Sequence, residues 1–159
     1  VRAAVRFKRS LTVCREAGDK RGEANAQWWL GKVDVKQREL VSARHRLGEA
    51  VTAFRAFEMR DEMIGCLEDH AVLAVAEGHA ELAVNLAAVA ANWRDRLGLR
   101  RSALSEPRWQ AEVQSMYRAL SQATFEAAWR EGAEWQIDRA IHSARALQIA
   151  ESAVSATAD

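Results

Sequence analysis

The sequence predicts an all-α fold, and three observations lead to that prediction. The chain of 159 residues contains one proline and eight glycines, and it is rich in Ala, Leu, Glu and Arg, which have high helix propensity. Apolar residues recur at three- and four-residue spacing, which places them on one face of a helix. A pattern of small and large residues also repeats every 40 positions, and a fixed period of this kind is typical of stacked helical units.

A glycine and a capping residue separate the first two predicted helices. Residues 2–17 form an amphipathic run that ends at Gly18, where the left-handed backbone of a helix C-cap costs glycine little. Asp19 can then accept a hydrogen bond from the first turn of the second helix, 20–36. No glycine or proline marks the next boundary, near residues 37–39, and only the register of the repeat predicts a break there.

Apolar stripes predict the next three helices, at residues 39–58, 60–77 and 80–97. Gly78 and Gly98 follow the second and third of these helices and are placed to end them. The stripe of the first comprises Leu40, Ala43, Leu47, Ala50, Phe54 and Phe57, and the stripe of the second comprises Met63, Leu67, Ala71 and Ala74.

Three further helices are predicted at residues 106–119, 122–131 and 136–150. Each of them has an N-terminal cap, a C-terminal glycine or an apolar stripe that supports it. The predicted caps and ends are Ser105 with Pro107, Ser121, and Gly132. The stripes are Trp109, Val113, Met116, Tyr117 and Leu120 in the first helix, and Ile137, Ala140, Ile141 and Ala144 in the last.

The extent of the repeat divides the chain into three segments. We expect residues 1–98 to form helical repeats, and residues 99–150 to form capping helices that pack on the repeats in one continuous domain. Residues 151–159 are small and polar, so we expect a flexible tail there. The amphipathic pattern is already under way at Val1, so we expect the chain to be a piece of a longer protein.

Three sets of residues occupy matching positions of the repeat: Ala3, Phe7, Ser10 and Leu11; Ala43, Leu47, Ala50 and Val51; and Ala83, Ala87, Ala90 and Ala91. Their small-large-small pattern resembles the second helix of the tetratricopeptide (TPR) motif, and Leu30 and Gly31 stand where that family has a Leu-Gly pair. Gln27 and Asp34 depart from the family pattern, and the period exceeds the usual ~34 residues. The resemblance implies TPR-like antiparallel helix hairpins that form a short right-handed superhelix of about eight helices.

A second set of motifs covers residues 66–142. It comprises Cys66-Leu67-Glu68-Asp69-His70-Ala71, Gly78, Ala83, Trp93-Arg94-Asp95-Arg96-Leu97-Gly98, the run from Leu120 to Phe125, the run from Ala128 to Gly132, and the run from Ile137 to Ile141. These motifs resemble the C-terminal region of large bacterial signalling ATPases, multidomain regulators that often carry a LuxR-type DNA-binding domain. The resemblance implies a TPR-like arm that follows an ATPase module. The Gly-x-x-x-x-Gly-Lys-Ser/Thr phosphate loop of such a module does not occur in this sequence.

The charge balance argues against nucleic acid and membrane partners. The chain has 23 basic and 22 acidic residues and a net charge of +1, so it lacks the basic surplus of a phosphate-binding protein. Residues 93–101 and Trp109 combine cations with aromatic rings, but their positions at a helix end and on core stripes favour a structural role. No apolar run of about 18 residues predicts a transmembrane helix. Two cysteines are too few for a disulfide framework, so we expect a reduced, cytoplasmic setting.

No pattern in the sequence supports catalysis or a bound cofactor. Cys66 and His70 are four residues apart on a predicted helix and could present two metal ligands on one face, but no further ligands stand at suitable spacing. Glu68 and Asp69 are adjacent, so their side chains point about 100° apart on a helix and do not form a carboxylate pair. We therefore expect no catalytic residue, no metal, no cofactor and no enzymatic activity.

Two adjacent tryptophans give the strongest indication of a binding surface. Trp29 shares an apolar stripe with Ala26 and Val33, whereas Trp28 clusters with Lys32 on the opposite side of the helix. In TPR hairpins the first helix lines the concave surface, and a tryptophan beside a lysine there could anchor a peptide or another domain. The alternative is that Trp28 packs on the neighbouring repeat. By register, the predicted concave-face residues are Asn25, Trp28, Lys32, Glu68, Asp69 and Val72.

These observations predict a non-catalytic helical-repeat module that binds a protein or peptide partner. The second resemblance implies that it is the regulatory arm of a multidomain bacterial signalling ATPase or transcriptional regulator, and that its partner is the ATPase module of its own full-length chain. The alternative is a domain that senses a small molecule or peptide in the same groove. An open shallow groove would favour the first function, and a deep enclosed pocket would favour the second.

Overall fold

The computed structural model describes the backbone of residues 2–156 and the side chains of residues 4–146. Within that part of the chain there are eight α-helices and no strand, which confirms the all-α prediction. In chain order the helices are α1 (Arg2–Ala17), α2 (Lys20–Gln37), α3 (Leu40–Ala56), α4 (Arg60–Ala76), α5 (Ala80–Leu97), α6 (Glu106–Arg118), α7 (Gln122–Ala133) and α8 (Ile137–Ala156).

Local signals placed most of the helix ends correctly. Gly18, Gly78 and Gly98 all have the positive φ of a left-handed cap, as their positions after amphipathic runs predict. Asp19 accepts a hydrogen bond from the backbone of Gly22 at 2.9 Å. The break that only the repeat register indicated is also present, because Arg38 adopts a left-handed conformation with φ of 64° and ends α2.

Two predicted helix ends are wrong in detail. Ser121 caps α7 through Thr124 at 3.1 Å, but the Ser105 side chain makes no such cap and its hydroxyl contacts Ser102 instead. Gly132 lies inside α7 and is buried against the backbone of α5, so it is a packing residue and not a C-cap. The last helix extends to Ala156, beyond the predicted end, and residues 157–159 of the predicted tail lie outside the described residues.

The helices pack mainly as sequential antiparallel neighbours. The most extensive contacts join α2 to α3, α4 to α5, and α5 to α7, while α8 crosses α3, α4 and α5. This arrangement packs α7 and α8 against α3, α4 and α5. The right-handed TPR-like superhelix and the domain division after residue 98 stay predictions.

The repeated residues form the centre of the core in two of the three copies. Ala43, Leu47, Ala50 and Val51 are fully buried in α3, and the matching Ala83, Ala87 and Ala90 are fully buried in α5. The copy in α1 differs, because Ser10 is exposed and Phe7 is only partly buried. A helix at the edge of a stack has one neighbour instead of two, so its small-residue face has less to pack against. The Ala3 side chain lies outside the described residues.

Two asparagines of α5 fix α7 at close range. The Asn85 side-chain amide donates a hydrogen bond to the Ala128 carbonyl at 2.8 Å, and Asn92 donates to the Ala133 carbonyl at 2.7 Å. Between these bonds Gly132 lies so near Asn85 that an added Cβ would stand 2.4 Å from the Asn85 carbonyl oxygen. Such an approach is possible only for a residue without a side chain. One residue of the predicted α6 stripe is misplaced, because Tyr117 is 41% exposed.

Candidate functional site

Helices α2 and α4 bring together only part of the predicted concave-face set. Trp28 and Lys32 on α2 contact Asp69 on α4. Glu68 points instead towards Arg94 on α5, and Asn25 hydrogen-bonds the Arg21 carbonyl one turn earlier on its own helix at 3.2 Å. The sixth residue, Val72, is partly buried against the core. The role of these six residues in partner binding stays a prediction.

The contact between Trp28, Lys32 and Asp69 is polar on one side and aromatic on the other. The Trp28 indole Nε1 donates to Asp69 Oδ2 at 2.6 Å, and the Lys32 ammonium lies 3.3 Å from the same oxygen. Lys32 Nζ also lies 5.1 Å from the centroid of the Trp28 ring, within range of a cation–π contact. Burial raises the pKa of the Asp69 carboxyl, and the Lys32 charge and the Trp28 hydrogen bond oppose that rise without cancelling it.

The Trp28 ring fills the space between α2 and α4. Its Cζ2 and Cη2 atoms would stand 3.0 Å from a Cβ added at Gly65, and its ring meets Phe54 edge-on at 5.5 Å between centroids. Because Gly65 has no side chain, the Trp28 indole can pack closely against α4. This placement matches the alternative that the sequence left open, in which Trp28 packs on the neighbouring helices.

Trp29, which the sequence placed on a buried stripe, is the more exposed member of the pair. Its side chain is 43% exposed, whereas Ala26 and Leu30 are buried. The Trp29 ring stacks on Phe7 of α1 with centroids 5.5 Å apart and an interplanar angle of 6°. Lys32 Nζ lies 4.8 Å from its centroid. One surface, called here the Trp29 surface, consists of the exposed Trp29 and the partly buried Trp28, Lys32 and Asp69.

A second polar cluster joins α4, α5 and the segment before α6. Arg94 donates to Glu68 from Nε at 2.6 Å and from Nη2 at 3.2 Å, and Arg101 also hydrogen-bonds Glu68. Burial lowers the pKa of Arg94, but Glu68 and Asp61 outweigh that effect and raise it, so the guanidinium stays charged. Arg101 lies over the Trp109 ring at 4.8 Å. Two of the cations that suggested phosphate binding, Arg94 and Arg101, are therefore used within the fold.

Cys66 and His70 lie one turn apart on α4 in the core, and both contact the backbone carbonyl of Leu47 in α3. The Cys66 thiol donates to the Leu47 carbonyl at 3.5 Å, and burial raises the thiol pKa well above its usual range. His70 is 2% exposed, and among residues 4–146 its Nε2 atom finds no hydrogen-bond partner. The described residues contain no group of three or more His, Cys, Asp or Glu side chains placed to hold a metal ion.

We expect His70 to make the protein less stable in acid. Burial lowers the pKa of His70 from 6.5 to about 4, with a smaller contribution from the nearby Arg145 charge. Below pH 6.5 His70 therefore binds a proton in the unfolded chain but not in the native state. The stability that neutral His70 contributes is fully present above pH 6.5 and is lost as the pH falls towards 4. The loss from this group is about 2 kcal/mol between about pH 7.5 and pH 5.

Urea unfolding of the wild type and of His70→Gln at those two pH values measures this effect. Glutamine does not titrate, so the difference in unfolding free energy between the two pH values should shrink by about 2 kcal/mol in the variant. Other acidic and basic groups titrate in both proteins and cancel in the comparison. An equal pH dependence in the two proteins would show that His70 is accessible to protons in the native state.

Comparison of the chain with protein-family models, with curated proteins and with solved structures finds no match. No helix of the described residues combines the length and the apolar character needed to cross a membrane.

Proposed function

We propose that this chain is a non-catalytic helical-repeat module that binds a protein partner through the Trp29 surface. The observation that carries the proposal is a tryptophan that is 43% exposed and yet packed against neighbouring side chains. Phe7 stacks on one side of the ring and Lys32 lies over it. An aromatic anchor that is already ordered loses little conformational entropy on binding, and tryptophan is enriched among the residues that dominate interface energies.

The shape and charge of the surface favour a protein over a small molecule. The Trp28 ring occupies the space between α2 and α4 against Gly65, so the surface offers a flat aromatic patch and not a deep cleft. The Lys32 charge is balanced by Asp69 at 3.3 Å, so the patch has no surplus cation for a phosphate. A largely neutral patch with one central aromatic side chain and a polar edge resembles the composition of protein interfaces.

We further propose that the module is the cytoplasmic regulatory arm of a multidomain bacterial signalling ATPase or transcriptional regulator. The support is the resemblance of residues 66–142 to the C-terminal region of those proteins. The motif positions also have structural uses: Cys66 and His70 are core residues of α4, and Gly132 is the contact of α7 with α5. The partner that this proposal names is the ATPase module of the same full-length chain.

The reading frame of the parent gene tests the context directly. The proposal expects a Gly-x-x-x-x-Gly-Lys-Ser/Thr phosphate loop upstream of this region, because the ATPase module requires one to bind its nucleotide. A complete frame without a nucleotide-binding motif would contradict the assignment to a signalling ATPase. It would leave the Trp29 surface as a binding site for some other protein.

We expect Trp29→Ala to weaken binding of the separately expressed ATPase module by at least about tenfold, as loss of an interface hot spot does. Isothermal titration calorimetry measures the dissociation constant, and urea unfolding checks that the fold is retained. Trp29 is partly exposed and contacts the rings of Phe7 and Trp28, so its removal should cost the fold about 2–3 kcal/mol, less than the loss of a fully buried tryptophan.

Tyr117→Ala is the matched control for that measurement. Tyr117 is 41% exposed and stacks edge-on against Phe125 on a distant pair of helices, so its removal deletes a similar aromatic area elsewhere. Binding that falls equally in both variants, or in neither, would contradict a role for the Trp29 surface. Trp28→Ala is not a suitable probe, because that ring fills internal space beside Gly65 and its loss would disturb the packing of α2 on α4.

A further inference from the structure

A groove on another part of the molecule lies where α8 meets the ends of α1 and α3 and the start of α2. Its volume is about 460 Å³, which falls within the range of small-molecule sites. One wall is apolar and is formed by Ala53, Ala56 and Phe57 at the end of α3. The groove shares no residue with the Trp29 surface.

Some of the polar and charged residues that line the groove bind one another, and these include both of its carboxylates. Arg15 and Lys20 both bind Glu23, at 2.8 and 3.1 Å, and their hydrogen bonds lower the pKa of the Glu23 carboxyl. Glu49 accepts a hydrogen bond from Gln27 at 2.7 Å, and its other oxygen lies 3.4 Å from His45. Both carboxylates of the groove therefore already have partners.

Arg145 of α8 lines the same groove and has no carboxylate partner among the described side chains. Its Nε atom is buried and has no hydrogen-bond partner within the part of the chain that the structure describes. The neighbouring His70 is neutral, because burial lowers its pKa to about 4, and an imidazole carries no negative charge in either protonation state. A partly buried guanidinium that lacks a counter-charge is costly, and a bound carboxylate would satisfy it with two charge-assisted hydrogen bonds.

We propose that this groove is a binding site for a small organic acid, whose carboxylate binds Arg145 and whose apolar body lies against Ala53, Ala56 and Phe57. The apolar wall and the Arg145 cation, which has no carboxylate partner among the described side chains, together specify that class. An inorganic anion would gain nothing from the wall, and a neutral apolar molecule would leave Arg145 unpaired. The site goes beyond the proposed protein-binding function, and neither one requires the other.

Calorimetric titration with hexanoate and with phenylacetate tests the site, with hexanamide as the uncharged analogue and inorganic phosphate as an anion without an apolar body. We expect at least one of the two acids to bind the wild type. Hexanamide and phosphate should bind at least about tenfold more weakly, because hexanamide lacks the carboxylate and phosphate lacks the apolar body. Arg145→Gln should weaken acid binding by a similar factor. Arg108→Gln removes an equal charge from the exposed face of α6 and should leave binding unchanged.

Ala56→Trp provides a second variant that keeps Arg145 and fills the groove from its apolar wall. It should also abolish acid binding, and thermal unfolding of both variants shows whether they remain folded. The proposal is overturned if neither acid binds the wild type, if Arg145→Gln and Ala56→Trp bind the acids as the wild type does, or if phosphate binds as tightly as the acids. The last result would indicate a general anion site without the apolar selectivity.

Discussion

Glu68→Ala is expected to lower the free energy of unfolding by about 3–5 kcal/mol, as does the removal of one partner from a buried ion pair. The Glu68 carboxylate is only 10% exposed and is shared by Arg94 and Arg101. Both guanidinium groups, whose side chains are 11% and 13% exposed, would lose their buried partner. Each would keep a more exposed carboxylate, Asp61 for Arg94 and Glu106 for Arg101. Urea unfolding followed by circular dichroism measures the loss.

Asp61→Ala is the matched control, because Asp61 binds the same Arg94 guanidinium at 2.8 Å but is 61% exposed. Solvent screens such a pair, so its removal should cost no more than about 1 kcal/mol. The double variant Glu68→Met/Arg94→Met should recover part of the stability, because it replaces two buried charges by apolar groups of similar size. Equal losses from Glu68→Ala and Asp61→Ala would refute the assignment of the buried pair as the stronger contact.

Gly132→Ala is expected to destabilise the protein by about 3 kcal/mol, the upper part of the range for overpacked cores. The added Cβ would meet three backbone atoms of Asn85, at 2.4, 2.5 and 2.8 Å. Backbone atoms cannot rotate aside, so α7 must move away from α5 and stretch the hydrogen bonds that Asn85 and Asn92 make to α7. This cost exceeds the roughly 1 kcal/mol that alanine gains in helix propensity over glycine.

Gly31→Ala gives the comparison that separates backbone from side-chain contact. A Cβ at Gly31 would meet the Leu47 side chain at 2.7 Å, and a side chain can change rotamer where a backbone cannot. We expect a loss of about 1–2 kcal/mol, smaller than that of Gly132→Ala. Thermal or urea unfolding of the two variants side by side measures the difference. A neutral or stabilising Gly132→Ala would mean that α5 and α7 are less closely packed than the structure shows.

The helices could be predicted from the sequence because their signals are local. A glycine after an amphipathic run, as at Gly18 or Gly98, and a capping carboxylate such as Asp19 act within one turn of the residues that they terminate. Gly132 has the same local signal, which predicts a helix end there, but that prediction is wrong. Its use as a close contact depends on Asn85, which lies 47 residues earlier in the chain, and no local pattern contains that information.

The candidate site was predictable in part for the same reason. Helical register placed Trp28 and Lys32 on one face, and the repeat register added Asp69 to the same predicted set. The structure brings these three side chains into contact, at 2.6 and 3.3 Å, and their role in partner binding stays a prediction. Register could not tell which tryptophan is exposed. That depends on Gly65, which lets the Trp28 ring lie against α4, and on α1, which covers only part of Trp29.

The sequence by itself determined that the chain is all-α, where most of its helices begin and end, and which positions of the repeat are small enough for close packing. Hydrogen bonds between residues a few positions apart and the period of the apolar residues decide those features. Only the tertiary structure decided that Trp29 is the more exposed of the two adjacent tryptophans and that Glu68 binds Arg94 and Arg101. It also decided that Arg145 lines a groove and has no carboxylate partner among the side chains that the structure describes. Exposure and pairing depend on residues distant in the chain, and packing alone brings them into contact.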